Sequence, residues 1–233
     1  MNTTRTVRLF AGATAIAVLG ACSDSGPLGP ASSRNASGSG TGTLLITADV
    51  EVEDESGGGY ITRLHASVRD QAGAPVSGAS VQINAAGLGI VPLAENPAGS
   101  GNYAATHNGA AGTDVRLDVT RASDNVTRVI VGSPGLHKIT SPTGGSVVPA
   151  GQALTVRWTV PRRALRVEIE TRDGEVDDLA DNGVHALSGA SNPARTGQRI
   201  RVYRFNEVAI AGGRAGSRLR ISVRDTVEPL TVQ

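Results

Sequence analysis

A single cysteine in 233 residues excludes a disulfide framework and any thiolate zinc site built from this chain alone. Aromatic residues make up only 3% and charged residues 18%, so the Glu/Lys/Leu richness of long helical proteins is missing. The net charge is +1, which gives no global field of one sign. Scarce aromatics leave no stacking platform for single-stranded nucleic acid, and no nucleic-acid partner is expected. The HExxH, GxSxG and P-loop patterns are all lacking. The four histidines, His65, His107, His137 and His185, show no metal-ligand spacing and read as surface or turn residues. No cofactor, no metal and no catalytic residue is therefore expected, and the chain does not read as an enzyme.

What is present is β-forming. Valine outnumbers leucine, which favours strands. The 30 glycines and 11 prolines are too few and too aperiodic for a fibrous repeat; they fall instead in clusters that punctuate short alternating segments. Residues 43–53, 60–70, 79–85, 114–120, 125–131, 153–160, 164–172, 198–205 and 217–224 alternate as strands do. Between 86 and 112, glycine and alanine dominate and only 102–106 reads as a strand. No window has a capped helical period. Strands at this spacing predict an all-β chain of two consecutive sandwiches. The Gly/Pro-rich stretch 132–142 is the expected boundary, giving units at 43–132 and 138–233.

In the first unit, residues 66–81 read ASVRDQAGAPVSGASV. Val68 ends an inward-facing strand, Asp70 to Gly73 turn the chain, Pro75 marks an edge, Gly78 permits a bend, and Val81 restarts the core face. This segment resembles the V-x-D-x-x-G-x-P-V-x-G-A-x-V signature of bacterial Ig-like domains of the invasin and intimin type. The resemblance implies an Ig-like sandwich and is silent on function, because that family includes adhesins, spacers and enzyme appendages. In the second unit Leu154, Val156, Trp158 and Val160 share one face. That pattern is similar to the early strands of Ig-like and fibronectin type III modules, where an inward Trp anchors the core. Trp158 is therefore expected inside rather than on a sugar-stacking platform.

The N-terminus carries Arg5 and Arg8, then an apolar run over 9–21 ending Leu19-Gly20-Ala21-Cys22. The run has the length of a signal-peptide core and is short of the ~20 residues of a spanning helix. The end of the run resembles a bacterial lipobox, with the sole cysteine where lipidation requires it. The resemblance implies a leader over 1–21, a diacylated Cys22, and a membrane partner reached through lipid. Ser23 at the following position favours the outer membrane, on its periplasmic or outward side. Residues 22–42 are nearly all small or polar and are expected to form a flexible linker.

Charge is distributed unevenly. Residues 43–132 hold five arginines against ten carboxylates, a net of −5, whereas 138–233 reach +4. Asp173, Glu175, Asp177, Asp178 and Asp181 form an acidic run that is either a solvated loop or a Ca²⁺ site, since hard cations need converging oxygens. Arg199, Arg201, Arg218 and Arg220 share strand faces. They read either as a ladder neutralised by carboxylates such as Glu168 and Glu170, or as an anion-binding face for glycan, lipid or an acidic partner. Taken together, the expected function is a lipid-anchored, non-catalytic envelope protein that presents Ig-like modules for binding or adhesion to an envelope protein or glycan. A structural spacer or accessory subunit is the alternative, with a hydrolase behind both.

Overall fold

The computed structural model describes residues 35–55 and 58–233. The leader 1–21, Cys22 and the first part of the linker lie outside the described residues. The first half forms β1 (Ala36–Gly40), β2 (Leu45–Asp54), β3 (Tyr60–Arg69), β4 (Ser80–Ala85), β5 (Gly89–Glu95), β6 (Asn102–Asn108), β7 (Val115–Arg121) and β8 (Asp124–Val131). The second half forms β9 (Ile139–Ser141), β10 (Val147–Val148), β11 (Leu154–Trp158), β12 (Arg166–Thr171), β13 (Glu175–Leu179), β14 (Val184–Leu187), β15 (Arg195–Ala209) and β16 (Arg218–Val232). One 3₁₀ turn at Gly189–Ser191 is the only helical element among the described residues. The all-β expectation holds.

A continuous sheet runs β1-β8-β7-β4-β5-β6-β3-β2-β16-β15-β12-β13, and β14-β11-β9 form a second, smaller sheet. The long sheet folds back on itself through β5, which pairs with β4 over Val81–Ala85 and with β6 only at Ala94 and Glu95. Its two arms enclose the first core, where Val81, Ile83, Leu117 and Val126 meet Ile46, Val50, Leu64 and Val68. The small sheet closes the second core over the other end, packing Val156, Trp158 and Leu187 against Val167, Ile169, Ile200 and Val202. The molecule thus has two sandwich cores.

The cores do not divide where the sequence suggests. Ile210, Leu219, Ile221 and Val223, all beyond residue 138, belong to the first core, while Leu230 belongs to the second. The cause is strand length. β15 and β16 have 15 residues each, or ~50 Å at the usual rise, too long for one sandwich. Their pairing runs from Arg195↔Val232 to Ala209↔Arg218, and β16 also pairs in parallel with β2 from Arg218↔Thr47 to Arg224↔Glu53. The hairpin is shared by both cores.

The linker expectation for 22–42 needs correction at its end. Ala36–Gly40 is strand β1, antiparallel to β8 from Ala36↔Ile130 to Gly40↔Val126. Small side chains there serve close approach: a Cβ on Gly40 would collide with the carbonyl oxygens of Asn125 and Gly212. Composition alone cannot distinguish such a strand from a solvated coil. The turn in the 66–81 segment forms as expected, with Asp70 Oδ1 accepting from the amides of Ala72 and Ala74. Beyond it Tyr103 donates its hydroxyl proton to the Val76 carbonyl and accepts from the Ala79 amide, tying β6 to the bend.

Candidate binding face and the seam between the cores

Adjacent pairing of β12, β15, β16, β2 and β3 lays one outer face across both cores. Alternation puts Arg199, Arg201, Tyr203, Phe205 and Glu207 of β15 on that face, with Ile200, Val202 and Arg204 turned inward. On β16 it holds Arg218, Arg220 and Arg224 outward while Leu219, Ile221 and Val223 enter the first core. The four arginines singled out in the sequence therefore do share a side.

They are not free. Glu170 receives Arg199 at 2.6 Å, Arg201 at 3.3 Å and the Tyr203 hydroxyl at 2.8 Å. Arg220 meets Asp49 at 2.7 Å, Arg224 meets Glu53 at 2.9 Å, and Arg218 lies 3.9 Å from Glu207. Tyr203 and Phe205 stack with ring centroids 6.1 Å apart, and the guanidiniums of Arg224 and Arg220 sit over them at 5.9 and 5.6 Å. The face is a ladder in which the basic rows of β15 and β16 lie between acidic rows on β12 and β2, with an aromatic pair on β15. Half-buried pairs on a sheet face each contribute modestly to stability. What they supply is a fixed pattern.

The electrostatics follow the packing. Burial raises the Glu170 carboxyl, but the Tyr203 hydroxyl and the Arg201 and Arg199 guanidiniums outweigh it and hold the group below its ordinary range. Glu168, two residues back on the same strand, goes the other way: burial raises it, and the neighbouring Glu175, Glu170 and Asp177 add repulsion. Glu168 lines a shallow depression of about 130 Å³ with Arg166, Asp177, Asp178, Phe205 and Arg220. A second one of about 310 Å³ lies among Asp54, Glu55, Arg201, Arg224, Thr226 and Glu228. Both carry charges of both signs, which suits polar or zwitterionic surfaces better than a polyanion.

The calcium candidates are dispersed. Asp173 binds Arg195 at 2.7 Å and the Gln198 side-chain amide at 2.7 Å. Glu175, Asp177 and Asp178 lie on the edge strand β13. Asp181 is buried elsewhere. Among the described residues no group of three or more His, Cys, Asp or Glu could hold a metal ion. The acidic run is local in sequence, but Asp173 is taken up by Arg195 and Gln198 and Asp181 is paired with Arg204, which leaves only Glu175, Asp177 and Asp178 together on β13.

Asp181 belongs instead to a seam between the cores. Arg204 is 0% exposed and donates to both Asp181 oxygens, at 2.6 and 3.2 Å, to the carbonyls of Pro134 and Gly135 at 3.0 and 3.3 Å, and to that of Arg162. The same carboxylate accepts the Trp158 indole N–H at 2.9 Å and the Ala164 amide at 2.7 Å. Burial raises Asp181, but Arg204, the Ala164 amide and the Trp158 indole together hold it below its usual value. Asn206 donates to the Gly132 carbonyl at 2.6 Å. The 132–137 stretch, expected as a boundary, is thus pinned against β15. Parity is the signal that marks Arg204, since it follows Ile200 and Val202 on the inward side of the strand.

His137 corrects the surface expectation for the histidines; His65 is exposed as expected. His137 is 2% exposed, and its Nε2 lies 3.1 Å from the Val202 carbonyl oxygen. Burial and the Arg204 charge push its pKa down to about 3. An unfolded histidine titrates near 6.5, so between that pH and about 3 the unfolded chain binds the extra proton. Stability from this group is complete above pH ~6.5 and falls by about 1.4 kcal/mol per pH unit below it. His137→Gln is expected to flatten that slope in urea unfolding measured from pH ~7.5 to ~4.5, a window that brackets the unfolded titration. An unchanged slope would show that other groups control it.

No family model matches the chain, and no curated protein matches it. Among solved structures it is similar to the Yersinia pseudotuberculosis adhesin InvE, at 16% identity and a TM-score of 0.28, over 78% of this chain and 60% of that one. It is also similar to the fibronectin(III)-like modules of Clostridium thermocellum CbhA, at 14% identity and 0.25, over 77% and 92%. The two-domain chain DIP-gamma IG1+IG2 matches at 10% and 0.25, over 82% and 98%. The chain therefore spans about 60% of the adhesin's length. Likenesses this distant carry nothing about activity or partners, and the sandwich assignment stands on the pairing and cores described above.

Proposed function

We propose that this chain is a lipid-anchored, non-catalytic protein of the cell envelope, held on the outer membrane through Cys22, whose β body binds or adheres to an envelope protein or glycan. The observation that carries the binding role is the outer face, continuous over both cores and fixed by the shared hairpin. A preorganised surface loses little conformational freedom on association. Its guanidiniums are already neutralised by Glu170, Asp49 and Glu53, so the partner it fits is one of mixed charge or hydroxyl chemistry.

The anchor is supported by the sequence Leu19-Gly20-Ala21-Cys22. Two or three acyl chains, at ~0.8 kcal/mol per buried CH₂, hold a protein on a bilayer without any spanning segment. Intact-mass spectrometry is expected to show acyl chains on a product starting at Cys22, and Cys22→Ser to release the protein from membranes with its β body folded. An unmodified Cys22 would overturn the anchor. The binding role is tested by capture from detergent-solubilised envelopes, comparing the native protein with Arg201→Glu/Arg220→Glu. Equal capture by both would remove this face from the reading. The alternative, a spacer or accessory subunit, is favoured by the Arg204 seam, which makes the two cores one stiff unit.

A further inference from the structure

At one edge of the first core β1 fills the gap between β8 and the tip of the β15–β16 hairpin. On one side β1 pairs with β8 from Ala36↔Ile130 to Gly40↔Val126. On the other, the Ser37 carbonyl accepts from the Ala211 amide at 3.0 Å, and the Gly42 amide donates to the Gly212 carbonyl at 3.0 Å. The slot thus lies between β8 and the tip of the β15–β16 hairpin, and it is read by backbone groups on both edges.

The slot is also coded sterically. A Cβ on Gly38, whose φ is +74°, would meet the Thr127 carbonyl oxygen at 2.6 Å and Val129 Cγ2 at 2.7 Å. A Cβ on Gly212 would overlap the Ser39 carbonyl carbon. Only a strand with glycine at two positions two residues apart fits, and residues 36–40 of this chain are such a strand. Yet β1 puts no side chain into the core: its residues are exposed apart from Gly38, which is half-buried, and backbone hydrogen bonds hold it. Strands held by solvent-reachable hydrogen bonds without buried side chains open locally at lower cost than core strands. Opening bares the unpaired β8 edge, a template for another strand.

We infer that this slot is a homotypic interaction site, in which β1 of a second copy of this chain replaces the resident strand, so that copies on one membrane pair by reciprocal strand exchange. Glycine coding makes the slot selective for its own sequence, and Leu44, 2% exposed, fixes the chain just beyond the exchanging segment. The crowding that lets a second copy compete with the tethered strand rests on the anchored reading above.

The test uses the full chain with its leader, in two differently tagged forms co-produced in one bacterial host, Ser39→Cys and Thr127→Cys. These positions face each other in the β1–β8 register. After mild oxidation, a disulfide-linked pair carrying both tags is expected, several times more abundant than pairs from either form alone. Ser39→Cys/Thr127→Cys on one chain is expected to close internally, which confirms the pairing and the fold. Internal closure without mixed-tag pairs would overturn exchange. Gly40→Val, whose side chain blocks the slot, is expected to abolish the mixed pair; a pair that survives it would overturn the slot as the site. Fractionation of the same cells reports the anchor separately. If the chain is soluble, the anchored reading fails, and exchange is read by the same mixed-tag criterion on purified, concentrated forms that also carry Cys22→Ser, which removes the competing thiol.

Discussion

Arg204→Met is expected to destabilise the protein by about 3–5 kcal/mol, because breaking a buried ion pair leaves the other charge uncompensated. Asp181 would keep the Trp158 and Ala164 donors but lose its countercharge, and the carbonyls of Pro134 and Gly135 would lose their donor. A loss of that size is a large fraction of a domain's total stability. Equilibrium urea unfolding of Arg204→Met measures it. A paired replacement, Arg204→Met with Asp181→Leu, removes both charges but strands the Trp158 and Ala164 donors, so it should recover only the part of the loss that comes from the uncompensated carboxylate. A single variant as stable as the native chain would show that the seam does not hold the cores together.

Trp158→Ala should be of similar severity, about 3–5 kcal/mol, as for other large aromatic truncations. Trp158 is 5% exposed, belongs to the second core with Val156, Leu187 and Val202, and gives its indole proton to Asp181. Truncation therefore opens a cavity and removes one donor from the buried carboxylate. The two losses fall on neighbouring groups, so they will not add simply to that of Arg204→Met. Thermal unfolding followed by circular dichroism is the measurement. A folded, equally stable variant that had lost only a glycan-binding activity would place Trp158 in a binding site instead.

Much of the fold can be read from alternation. Strands β2, β3, β4, β7, β8, β11 and β12 lie within a few residues of where the pattern puts them, because each has one wet and one dry face. β5 escapes such a reading: Gly89, Pro92 and an exposed Ile90 obscure its period as it passes between the two arms. β16 reads as ending at Arg224, because Asp225 and Pro229 look like a strand end. Asp225 is buried and accepts the Ile139 amide at 2.6 Å, and Pro229 lies where the β15 register shifts and no ladder donor is needed. The arginine ladder is legible from parity, but its partners Asp49 and Glu53 are not. They come from β2, and Asp49 is 171 residues from Arg220 in sequence; only the parallel β16–β2 pairing brings them there.

That parallel pairing also orders events during synthesis. Ile46 donates its amide proton to Ser217 Oγ at 3.0 Å, across a separation of 171 residues. A chain emerging from the N-terminus carries β2 long before its neighbour exists, so one edge of the first core waits until nearly the whole polypeptide is available. Such distant contacts raise the entropic cost of reaching the native topology and slow folding. They also tie the two halves together in inheritance: neither can be duplicated, deleted or exchanged as a bead on a string without leaving the other short of the strands they share.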